Sequence, residues 1–276
     1  MDPFLQSRLE GAIDRWQLAL DGPVRETPKG CMALARRDGQ PVVVKVIAPR
    51  SDETRAAAAL LHFAGSGSVV LLDQVDHATL LERLAPGDPL TTWVVAGRDD
   101  EATHQLTAVA LVLHRSAHLP QDFPTVEEWG KGFLRHRRTG DGSLSATLVD
   151  RAAALFVELA ESQTERRLLH GDLHHDNILW DDDRGWVAID PKGVIGEAAY
   201  EFGAAIRNPT DDVALFASSE IVDRRSRIIA EQAGIDHSRI VQWAFAQAVL
   251  SAIWSIEDGE RPDNGIAAAY AILKVL

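Results

Sequence analysis

A single cysteine among 276 residues, Cys31, excludes an internal disulfide and fits a reducing compartment. Net positive charge is also missing. Twenty-eight Lys and Arg stand against 41 Asp and Glu, a formal −13, so nucleic acid and anionic membrane are poor partners. The same imbalance suits a cationic small molecule, or serves solubility alone. No apolar run approaches the ~20 residues that cross a bilayer, and the opening MDPFLQSRLEGAIDRW has no signal-peptide core. Internal repeats and low-complexity tracts are absent. These absences leave a monomeric cytoplasmic protein as the expectation. Apolar residues make up 46% and charged residues 25%, an ordinary globular composition, and the length allows one large core or two modest ones.

Along the chain the apolar period changes twice. Phe4, Leu5, Leu9, Ile13, Trp16 and Leu20 recur near helical spacing and predict an opening amphipathic helix. From Val24 the signal is β: Cys31 to Arg36, the turn Asp38-Gly39, then the β-branched run Pro41 to Ile47 around Lys45. A loop at Thr27 to Gly30 forms the tip of this small antiparallel sheet. Pro49-Arg50-Ser51-Asp52 starts a helix from Glu53 to Phe63, and Gly65-Ser66-Gly67-Ser68 ends it as a linker. Strands follow at Val69 to Leu72 and Thr79 to Glu82, and Glu82 to Gly87 has the extended-then-turn character of a hinge. The lobe boundary therefore falls between residues 84 and 85. The second lobe is mostly helical. Its helices are expected at 89–96, 101–117 behind the caps Asp99-Asp100, from the capping box Thr125-x-x-Glu128 towards Arg138, and at 145–162. Further helices are expected around 198–206, 211–218, 220–233, 237–257 and 263–275. The basic run Arg135 to Arg138, before the loop 139–142, reads as a solvated helix end.

The stretch that organises the rest is Leu168 to Trp180, LLHGDLHHDNILW: two short apolar pieces around a polar loop. Trp186 to Asp190 is a second short strand ending in a carboxylate, reached through the turn Asp181 to Gly185. Asp172, Asn177 and Asp190 thus project from neighbouring strand ends towards one spot. Crowded acids need a metal ion or a proton-transfer task to offset their repulsion. In phosphoryl transfer an Asp accepts the substrate hydroxyl proton, an Asn five residues on binds Mg²⁺, and an Asp ending the next hairpin bridges metal and phosphates. H-G-D-x-x-x-x-N followed by I-D-P has that spacing.

These segments, with LLERLAPG, RGWVAIDPKGVIGEAAYEFG and LSAIW, resemble the streptomycin-6-phosphotransferase and hydroxyurea-kinase subgroup of the aminoglycoside phosphotransferase family, over nearly the whole chain from Val42. The resemblance implies an α+β, bilobal kinase-like fold, with an N-lobe over 1–84 and a helical C-lobe over 85–276. It implies Asp172 as the base, Asn177 and Asp190 as Mg²⁺ ligands, and Lys45 on the nucleotide's α- and β-phosphates. Backbone groups near Glu82 and Leu84 would meet the adenine, and the loop reaching Gly30 the phosphates. The donor is ATP or GTP, and the acceptor a hydroxyl of a small cationic molecule: streptomycin first, with hydroxyurea or another metabolite as alternatives. His170 is expected to brace the loop and Asp176 to be solvated; His174 and His175 have no assigned part. Acidic residues Glu197, Glu201, Asp211, Asp212, Glu257 and Asp258 are candidates for a cationic substrate, though each taken singly reads first as an ordinary solvated carboxylate. Trp243 or Trp254 is a candidate for a pocket wall, with the core the more ordinary place.

Two features depart from the family pattern. The glutamate expected to pair with Lys45 falls on Ala56, with Glu53 almost a helical turn earlier, and the first hairpin lacks G-x-G-x-x-G. The missing glutamate sustains a second expectation, a catalytically silent kinase-fold binding module. A third takes His170, His174, His175 and Asp176 as a zinc cluster, although their spacing matches no helical metal pair.

Overall fold

The computed structural model describes residues 1–27, 29–49, 51–116, 118–140, 142–209 and 213–276. The expected places of Pro28, Arg50, Ala117, Asp141, Asp211 and Asp212 lie outside these. Helix α1 (Pro3–Trp16) is followed by strands β1 (Ala19–Leu20), β2 (Arg25–Thr27), β3 (Gly30–Arg37) and β4 (Gln40–Ile47). A 3₁₀ turn (Asp52–Arg55) leads into α2 (Ala56–Phe63), then β5 (Leu71–Val75) and β6 (Ala78–Glu82). The antiparallel sheet runs β1-β3-β4-β6-β5, with β2 also paired to β3.

Strand alternation gives this sheet two unlike faces. Val42, Val44, Val46 and Leu80 bury against Leu5, Leu9, Ala12 and Trp16 of α1, each fully buried apolar side chain contributing about 1.5–3 kcal/mol. Val43 must then face the other way, and it packs with Leu60, Val69, Leu81, Leu84, Leu179 and Val187 in a cluster drawn from both lobes. Lys45, two residues on, shares that face. The strand's own period aims its amine at the cleft.

The second lobe comprises β7 (Pro86–Pro89), α3 (Thr91–Val95), α4 (Asp99–Leu113), α5 (Val126–Thr139), α6 (Ala146–Glu161), β8 (Arg167–Leu169), β9 (Ile178–Asp181), β10 (Gly185–Ala188), β11 (Val194–Gly196), α7 (Ala198–Ile206), α8 (Val213–Phe216), α9 (Ser219–Ala233), α10 (His237–Glu257) and α11 (Asp263–Ile272). The capping box forms as expected, Thr125 Oγ1 accepting from the Glu128 amide while Glu128 reaches back to the Thr125 amide. Helix α10 is long and apolar enough to cross a membrane, but it is mostly buried in the centre of the C-lobe, packed by α6, α7 and α11.

Some boundaries differ from expectation. Helix α2 begins at Ala56 because the Ser51 side chain caps a 3₁₀ turn, accepting from the Glu53 amide at 3.1 Å. Asp99 and Asp100 lie inside the first turn of α4 rather than capping it, since Asp99 is pulled down to Arg225. The strand expected to reach Asp190 stops at Ala188: the Ile189 amide still bonds the Asn177 carbonyl, the next partner in register, but Asp190 adopts φ 55° and cannot extend the pairing.

The linker at Gly65 to Ser68 is a docking point. Ala188 exchanges backbone hydrogen bonds with Gly67 and Val69, and Arg184 donates to the carbonyls of Gly65 and Ser68 at 2.6 and 2.9 Å. Arg184 also pairs with Glu82, so a C-lobe hairpin turn grips the N-lobe. We propose the lobe division at 84/85, where Leu84 still packs in the interlobe cluster and Pro86 begins a strand paired with β9.

Candidate active site

The loop from His170 to Asn177 is fixed from beneath. Its backbone amides at 170 and 171 donate to the Glu201 carboxylate of α7 at 2.7 and 2.9 Å, and His114 Nε2 lies 3.2 Å from the same group. Glu201 is fully buried; burial would raise its pKa, but His114, His170 and the loop amides hold it below the usual carboxylate range. It is a loop brace, not the substrate carboxylate envisaged from sequence. His170 braces from inside as expected, Nε2 donating to the Ile189 carbonyl at 2.7 Å and Nδ1 accepting from the Asp172 amide at 3.3 Å. Gly171 needs its missing side chain: its φ is 84°, and a Cβ would stand 2.8 Å from the Trp129 ring.

The Asp172 carboxylate sits between two cations. Lys192 Nζ lies 3.3 Å from Oδ2 and Arg207 Nη2 lies 3.7 Å from Oδ1. Burial opposes ionisation here, but Lys192, His174 and Arg207 overcome it and hold the carboxyl well below its ordinary range. Asn177 is oriented by its Nδ2, which donates to the Asp172 carbonyl at 2.9 Å and lies 3.1 Å from His174 Nε2. Its oxygen is therefore the amide atom left to face a cation. His174 Nδ1 turns to residue 176, 3.3 Å from its amide and 3.6 Å from its carboxylate. Asp176 also accepts from Thr91, so it is tied down rather than simply solvated.

Across the cleft, Lys45 Nζ lies 2.8 Å from Glu53 Oε2 and 2.8 Å from Asp190 Oδ1. Burial alone would lower the amine's pKa, but the two carboxylates reverse this and raise it. Lys45 is firmly placed, and the choice left open at Ala56 is resolved: Glu53 substitutes for the glutamate expected there. Glu53 takes the part because the 3₁₀ turn swings it towards the sheet, a geometry an uninterrupted helix from residue 53 would not give. The silent-module reading loses its one support.

The structure thus joins Lys45 to Asp190 and Asp172 to Asn177, with Ile189 N bonded to Asn177 O linking the two pairs at 2.9 Å. Glu82 and Gly30 sit differently. The Glu82 amide is taken by the Val70 carbonyl and its side chain by Arg184 and Val70. Leu84 is buried between the lobes, and the Ala85 amide donates to Asp181. Gly30 pairs with Thr27 and Ile47 at the start of β3, where a Cβ would strike the Val46 carbonyl at 2.0 Å. Glu197, proposed as a substrate contact, is buried and held by Arg239 at 2.7 Å and by the Trp243 indole, which places Trp243 in the core. Glu257 pairs with Arg135 and Asp258 with Lys29.

The histidines do not form a zinc centre. His170 and His174 engage the loop itself, and His175 is buried with both ring nitrogens unpartnered among the described residues. Among those residues no group of three or more His, Cys, Asp or Glu side chains is placed to hold a metal ion. Lys192 and Arg207 escaped the sequence reading. Lys192 follows Asp190 by two residues, a spacing that could have marked it as a nearby cation, whereas Arg207 is 35 residues from Asp172 with no motif to mark it.

A strand lysine facing a carboxylate-and-amide loop across two lobes is the architecture of small-molecule kinases. The chain superposes on choline kinase LicA of Streptococcus pneumoniae with a TM-score of 0.68, at 16% identity and 98% coverage of both chains. It superposes on a thermostable mutant of aminoglycoside phosphotransferase APH(4)-Ia in ternary complex with ADP and hygromycin B with a TM-score of 0.65, at 16% identity over 95% of this chain and 94% of that one. Within this class the chain belongs to the aminoglycoside/hydroxyurea antibiotic resistance kinase family, whose model matches residues 15–259. Streptomycin 3''-kinase of Klebsiella pneumoniae is 30% identical over 267 residues, 94% of this chain and 97% of the relative. Hydroxyurea phosphotransferase of Kitasatospora aureofaciens is 30% identical over 279 residues, 98% and 79% of the respective chains. The protein is an enzyme of the phosphotransferase class.

Proposed function

We propose that this enzyme transfers the γ-phosphoryl group of ATP to a hydroxyl of a small cationic acceptor, an aminoglycoside of the streptomycin type, as a cytoplasmic monomer. The observation that carries the reading is Lys45, held by Glu53 and Asp190 at the cleft and facing the loop of Asp172 and Asn177. Lys45 grips the α- and β-phosphates. The adenine edge meets the hinge backbone at Arg83 and Leu84, between the occupied amides of Glu82 and Ala85. Asp172 accepts a hydrogen bond from the substrate hydroxyl and aligns it for in-line attack, taking the proton as the phosphoryl group transfers.

The donor set fits Mg²⁺: the Asn177 amide oxygen and the Asp190 carboxylate are hard oxygen ligands, too few for a closed protein cage and suited to a site completed by phosphates and water. When bound, Mg²⁺ supplies neutralisation of phosphate charge.

A panel of hydroxyl acceptors, streptomycin first and hydroxyurea among them, with ATP and GTP as donors and product detected by mass, tests the reading. Phosphorylated streptomycin is expected. Asp172→Ala is expected to lower kcat by at least ~10³-fold with ADP still bound, since positioning and base action are both lost. Retained turnover in a coupled ADP-release assay refutes the assignment.

A further inference from the structure

Helix α7 touches the catalytic loop at two places: Glu201 holds the backbone of residues 170 and 171, and Arg207, at the helix C-cap, faces the Asp172 carboxylate. The Arg207 guanidinium is largely buried, its side chain 11% exposed. From behind, Nη1 donates to Gln247 Oε1 at 3.3 Å, and Gln247 is itself fixed by donating to the Tyr200 carbonyl. At 3.7 Å the contact with Asp172 is Coulombic rather than a hydrogen bond.

A buried guanidinium that has, among the described residues, one imperfect neutral side-chain partner and one unbonded carboxylate is a poor source of stability, because desolvation of both charges offsets most of their attraction. Burial indeed pulls the Arg207 pKa down against the pull of Asp172. What the arrangement does supply is direction. Oδ1 is held towards Arg207 and Oδ2 towards Lys192, which fixes the plane of the carboxylate that must meet the acceptor hydroxyl.

The geometry points to Arg207 as a positioning residue for phosphoryl transfer, acting through Asp172 and anchored by Gln247. The inference rests on Asp172 serving the transfer reaction. It concerns the chemical step, not nucleotide binding, since Lys45 and Glu53 lie in the other lobe.

The test is steady-state kinetics of Arg207→Lys and Arg207→Met on the acceptor that the wild-type enzyme phosphorylates, with ADP binding by calorimetry and thermal unfolding on each variant. Arg207→Lys keeps the charge and loses the fork; kcat is expected to fall about 5-fold with KM for ATP within ~2-fold. Arg207→Met keeps volume and removes the charge; kcat of the folded variant is expected to fall about 30-fold or more, with ADP binding kept and Tm lowered, because Asp172 stays buried with one cation fewer. Lysine at wild-type kcat overturns the inference. So does a loss in either variant that tracks ADP binding or stability rather than kcat. If Arg207→Met does not fold, the lysine variant alone decides. A wild-type enzyme that transfers phosphate to no acceptor instead overturns the proposed function itself.

Discussion

Glu53 shows how far one side chain's role depends on the turn that carries it. The family pattern asks for a glutamate inside the helix, where this chain has Ala56, yet the ion pair to Lys45 forms from a 3₁₀ turn three residues earlier. Glu53→Ala is expected to raise KM for ATP about tenfold with a smaller effect on acceptor KM, since the lysine loses one of two anchors. Ala56→Glu placed in that variant is not expected to restore it. Initial-rate measurements over ATP concentration check both. The proposed site residues Lys45, Asp172, Asn177 and Asp190 could be named from the sequence because phosphoryl transfer asks for those types at that spacing, and the fold brings Lys45 to Asp190 and Asn177 to Asp172. Glu197 and Glu201 were misread because nothing local in a sequence separates a buried, hydrogen-bonded carboxylate from a solvated one. Arg207 was invisible for a similar reason: an arginine ending a helix is ordinary until the partner it faces is known.

At the scale of elements, a buried ion pair between α4 and α9 lies close enough to His175 of the 170–177 loop for its charges to act on that imidazole. Arg225 donates to Asp99 at 2.6 Å, and to the carbonyls of Ala205 and Asn208 at 3.0 and 2.5 Å, tying the end of α7 into the same knot. Asp99 was read as a cap, and the sequence could not show that its carboxylate turns inward. Asp99→Asn leaves Arg225 buried with no countercharge from that residue and is expected to cost about 3 kcal/mol, read from urea unfolding. The cost falls on the junction of α4, α7 and α9, so turnover is expected to be lost only as far as folded enzyme is lost, whereas Arg207→Met should lower kcat of the folded enzyme. Helix positions along the C-lobe were legible from their apolar period and caps. Strand ends were less so: nothing in the sequence marks Asp190, a non-glycine residue, as the one that takes a left-handed φ of 55° and ends the pairing.

For the whole molecule, buried ionisable groups set an acid limit. His170 and His175 have pKa values lowered by burial, His175 to about 3, so each stays neutral in the folded protein over a range where the unfolded chain takes up a proton. Their contribution is complete above about pH 6.5 and declines as pH falls, by up to about 1.4 kcal/mol per pH unit for each such histidine. Asp99, Asp172 and Glu201 have lowered values despite burial, so their contributions are lost as pH falls below the ordinary carboxyl range. Thermal unfolding is therefore expected at the highest temperature near neutrality, declining from pH 6.5 and more steeply below pH 4. His175→Phe removes two unpartnered ring nitrogens and should flatten the upper part of that decline. A two-lobed architecture was legible in the change from a strand-rich first part to a helix-rich second part.

The Arg184 clasp has a consequence for anyone recombining such enzymes. The turn that secures the N-lobe is encoded about a hundred residues downstream, so a graft that exchanges residues 1–84 between relatives would leave its hinge ungripped and Leu60, Val69, Leu81 and Leu84 against foreign surfaces. Donor-nucleotide preference will travel intact only if the hairpin from Ile178 to Ala188 moves with it.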